Sequence, residues 1–99
     1  MRMTNFMRYI RLNLEFLGDL KMRIKVKLYT ILKKYGDGKI DKDNDLTIQQ
    51  SLTLQDLISH LGLPEKTVSM SLVNGLVKKI DYRLQEGDEV KFFSYIGGG

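Results

Sequence analysis

Between Met22 and Leu28 apolar and basic residues alternate one for one. Met22, Ile24, Val26 and Leu28 take one set of positions, and Arg23, Lys25 and Lys27 take the other. A period of two places each set on its own face of a strand, whereas a helix would scatter both around its surface. The segment predicts a half-buried strand with its apolar side inward. Such a strand needs partners along its edges and an apolar layer beneath it, so the chain must build a sheet with something packed on one side. At 99 residues it has room for one domain and a small core.

The rest of the chain supplies those parts in order. Thr30 to Tyr35 suit one helical turn, with Gly36 available to stop it. Residues 36–45 read as a loop, with spaced aspartates at Asp41, Asp43 and Asp45. A calcium loop of the EF-hand type needs glycine at its sixth position and glutamate at its twelfth, where this chain has Leu46 and Leu52, so a solvated turn is expected. Leu46 and Ile48 suggest a second strand, antiparallel to the first if the loop is a long hairpin.

A helix follows. Thr53 is its N-cap candidate and Asp56 lies three residues on; Leu54, Leu57, Ile58 and Leu61 share one face. Gly62 suits the C′ position and Pro64 blocks continuation. His60, the single histidine, lies off the apolar face and is expected to be exposed. Val68, Met70 and Leu72 then alternate with Ser69, Ser71 and Val73 in a third strand. Asn74-Gly75 is the favoured type I′ hairpin turn, and Leu76-Val77 begin the return strand. Leu84 reads as a core plug and Glu86-Gly87-Asp88 as a turn. In the last strand Val90, Phe92 and Ile96 alternate with Lys91, Phe93 and Tyr95. The order β-β-α-β-β-β predicts an α+β fold, a mixed four- to five-stranded sheet packed on one main helix.

The two ends differ from this body. In residues 1–21, Met3, Phe6, Met7, Ile10, Leu14 and Leu17 follow helical spacing. The segment reads as an amphipathic helix or as an N-terminal extension upstream of a domain that opens at Met22. Arg8 and Arg11 break any secretory-type apolar core. At the other end Gly97, Gly98 and Gly99 carry no side chains, so the end can thread a channel too narrow for any Cβ. What it presents there is the α-carboxylate of Gly99. Net charge is +4, half of it within residues 1–21, which is a poor match to the clustered basic stripe of a nucleic-acid binder. The absence of cysteine excludes disulfides, thiolate nucleophiles and Cys-bound metal. No apolar run is long enough to span a bilayer.

The element order, ending in a strand and a diglycine, resembles the MoaD/ThiS family of ubiquitin-like β-grasp sulfur carriers, closest to the small subunit of molybdopterin synthase. The residues that carry the resemblance are Lys25-Val26-Lys27-Leu28-Tyr29, Val73-Asn74-Gly75 and Leu84 to Phe93, followed by Gly98-Gly99. It covers residues 22–99, with 22–96 as the β-grasp domain and 97–99 as a glycine tail. The molybdopterin branch usually has Pro-Pro after the last strand, where this chain has Ser94-Tyr95. Thiamine-type carriers and archaeal protein modifiers share the same end.

The resemblance implies a carrier that turns nothing over alone and binds no cofactor. An E1-like adenylyltransferase of the MoeB/ThiF kind would adenylate Gly99 with ATP and Mg²⁺, and sulfur transfer would give a thiocarboxylate. The tail would then enter the large subunit of molybdopterin synthase, or an analogous acceptor, in the cytoplasm. No nucleic acid or membrane is implied. Partner contacts are implied at Tyr29, Val77 and Phe93. If Val90, Phe92 and Ile96 point inward, Lys25, Lys27, Tyr29, Lys91, Phe93 and Tyr95 form one outward face. With Ile96 and Gly97 leading to the tip, that is the expected docking surface. The competing class is a β-grasp binding module of the RNA-associated kind, which has no use for a Gly-Gly end.

Overall fold

The computed structural model describes residues 20–95. Residues 1–19 and 96–99, which include the predicted N-terminal helix, Ile96 and the glycine tail, lie outside the described residues. Strand β1 spans Lys21–Leu28 and alternates exposed and buried at every position. Strand β2, Asp45–Gln49, pairs with it antiparallel, Ile24 facing Leu46 and Met22 facing Ile48. Strands β3 (Val68–Val73), β4 (Leu76–Val77) and β5 (Glu89–Ser94) complete a five-stranded sheet in the order β2-β1-β5-β3-β4. β1 and β5 are parallel and the remaining pairs antiparallel, which makes the sheet mixed. This is the ubiquitin-like β-grasp arrangement, with both ends of the described chain in neighbouring central strands.

Helix α1, Leu54–Leu61, covers the inner face with Leu54, Leu57, Ile58 and Leu61, all essentially buried. Its start is fully closed. Thr53 Oγ1 accepts from Asp56 N at 3.2 Å and Asp56 Oδ2 accepts from Thr53 N at 3.0 Å, a complete capping box. Donation to the Asp56 carboxyl by the Thr53 backbone N–H first, and then by its side chain, holds that carboxyl below its usual range. The first two helical amides, Leu54 and Gln55, donate to the carbonyls of Tyr82 and Ile80. The segment before β5 is thereby tied to the helix, and Leu84 is seated in the core as expected. Gly62 closes the helix at φ 72, and Leu63 N bonds back to Ile58 O at 3.0 Å. His60 is exposed.

Between β1 and β2 the predicted turn is a 3-10 helix over Thr30–Gly36. Gly36 does not stop it by adopting a left-handed conformation; the chain leaves the helix at Asp37, which is extended and donates its N–H to Lys34 O, and Gly38 follows at φ 78. Gly36 is buried, and an added Cβ would lie 3.1 Å from Ile40 Cδ1 and 3.2 Å from Leu28 Cδ1. A methyl there would crowd those two side-chain tips, which would have to give way by a few tenths of an ångström. The aspartate loop folds on itself: Asp41 Oδ1 accepts from Asp43 N and Asp45 N, and Asp45 Oδ1 takes Lys25 Nζ at 2.9 Å. These carboxylates are spent on the chain's own donors, as a solvated turn requires.

One face assignment is reversed. The sequence pattern groups Val68, Met70 and Leu72 as the apolar set of β3, yet Ser71 and Val73 are buried and Met70 is 40% exposed. Ser71 pairs with Phe92 and Val73 with Val90, and directly opposed residues share a face. The regular pairing from Met70 to Val73 sets this phase, and a register shift between Val68 and Met70 precedes it.

Candidate functional site

Parallel pairing sets β1 and β5 to end on the same side of the sheet, so Tyr29 lies beside Phe93 although 64 residues separate them in sequence. Their rings stack at 4.5 Å between centroids and 7° between planes. Lys27 Nζ sits 5.7 Å from the centre of the Tyr29 ring, within reach of a cation–π attraction. Both rings are half-buried on the outward face, opposite α1.

The registers extend this stack into rows. Met70 lies opposite Phe93, so Met70, Phe93 and Tyr29 run across three strands. Below them, Val77 faces Leu72, Leu72 faces Lys91 and Lys91 faces Lys27. Lower still, Glu89 faces Lys25, which faces Asp45. Across the sheet, then, the outward face is apolar toward β3 and β4 and charged toward β1 and β2. Val77 is 66% exposed at the β4 edge, and Tyr95 is 60% exposed just past the end of β5.

Five of the partner-contact residues expected from sequence are therefore placed on or beside one surface: Tyr29, Val77, Lys91, Phe93 and Tyr95. Lys25 stands apart from them. Its ammonium is held by Asp45 Oδ1 and by Asp43 O at 3.2 Å. The Asp45 hydrogen bond raises its pKa above the ordinary lysine value. Met70 and Leu72 were missed as members of the face, because their apolar character assigns them to the core until the β3–β5 register is known.

The exit of β5 is braced by backbone and hydroxyl contacts. Ser69 Oγ donates to Phe93 O at 3.1 Å. Thr30 Oγ1 donates to Tyr29 O at 2.7 Å, which leaves the Ser94 hydroxyl to donate to Thr30 Oγ1. Thr30 is held at φ 54, a costly conformation for a β-branched residue, at the point where β1 turns away beside this exit.

At the opposite end of β5 the stretch that carries the family resemblance closes on itself. Asp88 is buried, and its carboxylate accepts from Asn74 Nδ2 (2.9 Å), Tyr82 OH (2.9 Å) and Gln85 N (2.8 Å). Asn74 Oδ1 in turn accepts from Glu89 N, and Asn74 N donates to Glu89 O. Asn74 and Gly75 have φ of 53 and 86, the type I′ signature. Thus Asn74-Gly75 and Gly87-Asp88-Glu89 form a latch that fixes where β5 enters the sheet. Their role here is positional.

The family model described as ThiS matches residues 27–99. No curated protein matches the sequence. Solved structures share the fold, among them the following three. The Haloferax volcanii HVO 2177 protein is 19% identical with a TM-score of 0.59, over 80% of this chain and 88% of that one. The H. volcanii small archaeal modifier protein 1 is 15% identical with a TM-score of 0.56, over 76% and 99%. A Pyrococcus furiosus protein, described as a candidate molybdopterin converting factor subunit 1, is 19% identical with a TM-score of 0.55, over 76% and 99%.

Proposed function

The chain belongs to the ThiS family of ubiquitin-like sulfur carriers, and from that premise we propose that it carries sulfur as a thiocarboxylate on Gly99 for molybdopterin synthesis. A carboxylate resists nucleophiles until it bears a good leaving group. In the proposed sequence, a Gly99 carboxylate oxygen attacks the α-phosphorus of ATP on an E1-like enzyme, with Mg²⁺, and pyrophosphate departs. Hydrosulfide-level sulfur then attacks the acyl carbon, the C–O bond to the phosphate breaks, AMP leaves, and the thiocarboxylate remains on Gly99. The body of the chain contributes binding and orientation, which convert an improbable encounter into a positioned one.

The observation that carries this reading is the family match, which continues through Gly98 and Gly99. The outward face supports it: the half-buried Tyr29–Phe93 stack, with Met70 and Tyr95 exposed around it beside the exit of β5, gives partner enzymes something to grip next to the reacting end. The large subunit of a molybdopterin synthase is the proposed acceptor, in the cytoplasm.

The test is mass spectrometry after incubation with the activating enzyme, ATP, Mg²⁺ and a sulfur donor. The intact protein should gain the mass difference between sulfur and oxygen, mapped to Gly99. Deleting Gly99, or extending the chain by one residue beyond it, should abolish the gain while leaving the fold unchanged. Modification of the extended protein without prior trimming would refute the proposal. A product joined through Gly99 to a lysine of another protein would replace it with the modifier reading, the activity named for the H. volcanii structure of the same fold.

A further inference from the structure

Strand pairing runs out around Phe93 and Ser94, just where the chain turns toward Gly99. On the β1 side the ladder ends at Leu28 and Phe92, followed by one bond from Tyr29 N to Phe92 O at 3.3 Å. On the β3 side the register shifts between Met70 and Val68, so Ser69 is skipped and Ser94 pairs only with Val68 beyond the shift. Hydroxyls take over at this point. Ser69 Oγ donates to Phe93 O from the β3 side, and Ser94 Oγ donates to Thr30 Oγ1 on the β1 side. Thr30 Oγ1 is oriented in turn by its own donation to Tyr29 O, a carbonyl that also accepts from Leu32 N at 3.1 Å.

Thr30 makes this contact from φ 54, a conformation that glycine or asparagine takes at lower cost. Neither of those residues carries a hydroxyl. We infer that Thr30 and Ser94 are positioning residues for the activation of Gly99: the strained threonine supplies the hydroxyl that pins the end of β5, and so fixes the point from which the reacting end departs.

The inference rests on the proposed function and adds to it a residue pair outside the stacked rings. Ser94 follows Phe93 directly, so the pin ties the docking face to the root of the reacting end. Five residues lead from Ser94 to Gly99, a reach of at most about 17 Å. A partner that grips the Tyr29–Phe93 stack must meet the carboxylate within that reach. If the root moves, binding through the face is kept and the loss falls on the chemical step. Thr30 is exposed and Ser94 half-buried, so water competes for their bond and its worth is that of one ordinary hydrogen bond.

The test uses the full-length protein with its activating enzyme, ATP and Mg²⁺. Single-turnover pyrophosphate release should slow about fivefold in Thr30→Gly, the equivalent of one such bond. Ser94→Ala should match it, and the double variant should fall no further, since both changes remove the same bond. Affinity for the enzyme, by calorimetry, should stay within about twofold of wild type, because the stacked face is kept. Thr30→Ser, which retains the hydroxyl, should restore the rate. In the protein alone, ¹⁵N relaxation at Ser94 and Tyr95 should report greater motion in Thr30→Gly, with Val90 and Phe92 unchanged. Thr30→Gly should melt within a few degrees of wild type, because relief of the left-handed strain offsets the lost bonds. Unchanged motion at Ser94 and Tyr95 would overturn the pin. Equal rates, a loss that appears in affinity, or no recovery in Thr30→Ser would overturn the positioning role. A fall in melting temperature above about 10 °C in Thr30→Gly would make Thr30 a stability residue instead. No pyrophosphate release from the wild type would overturn the carrier reading and this role with it; failure of the pin differs, since wild type and variants would then react alike.

Discussion

Replacing Asp88 by alanine should be among the most damaging single changes in this protein, although the residue reacts with nothing. Its carboxylate accepts three hydrogen bonds, from Asn74, Tyr82 and Gln85. Bonds to a charged acceptor are worth roughly 1.5–3 kcal/mol each. Asn74 and Gln85 are exposed enough for water to replace the lost acceptor, which discounts their share. A net loss of about 3 kcal/mol follows, or a fall of ~12–24 °C in the melting temperature of a domain this size. Urea and thermal unfolding followed by circular dichroism measure it. A double-mutant cycle with Tyr82→Phe should show coupling above about 0.5 kcal/mol, since the two groups share one bond. A loss under about 1 kcal/mol, the ordinary range for an unremarkable site, together with strict additivity, would refute the latch. β5 would then be placed by strand pairing alone.

The remaining expectations concern the face, a packing glycine and alkaline pH. Phe93→Ala and Tyr29→Ala should each weaken binding to the activating enzyme by about 2 kcal/mol, read by calorimetry, and cost roughly 1 kcal/mol of stability from the lost stack; normal binding with a large fall in melting temperature would make the rings structural. Gly36→Ala should destabilise by about 1 kcal/mol in urea unfolding, because Ile40 and Leu28 must yield to the new methyl; a neutral result would show that their side chains move aside freely. Burial, then the hydrogen bond to Asp88 and its negative charge, raise the Tyr82 phenol above its ordinary value of 10.0. The folded state therefore keeps this proton to higher pH than the unfolded chain does. The contribution is complete below the unfolded value and is lost as pH rises through the raised one. Unfolding titrations above pH ~10 should show that loss in the native protein and a shallower one in Tyr82→Phe.

Much of this architecture was legible because its signals are local. The alternation of Met22 to Leu28 becomes β1 without exception, and Thr53, Asp56 and Gly62 bound α1 by the capping chemistry their side chains dictate. Asn74-Gly75 turns as that dipeptide prefers, because both residues must take positive φ. In each case the deciding interaction spans fewer than about ten residues, so neighbouring letters contain it. The Tyr29–Phe93 stack, by contrast, needs the parallel pairing of β1 with β5, and the inward turn of Ser71 needs its pairing with Phe92 in the β3–β5 register. Composition even argued against the latter, since a polar residue is buried there and Met70 is left outside. Gly36 looked like a helix stop and is a contact, a distinction that depends on where Ile40 and Leu28 lie in space. Asp88 read as one more turn residue until Asn74, Tyr82 and Gln85 converged on it. Which elements form was a matter of short-range backbone and capping preferences; which side chains share a face was decided by registers between strands far apart in the chain.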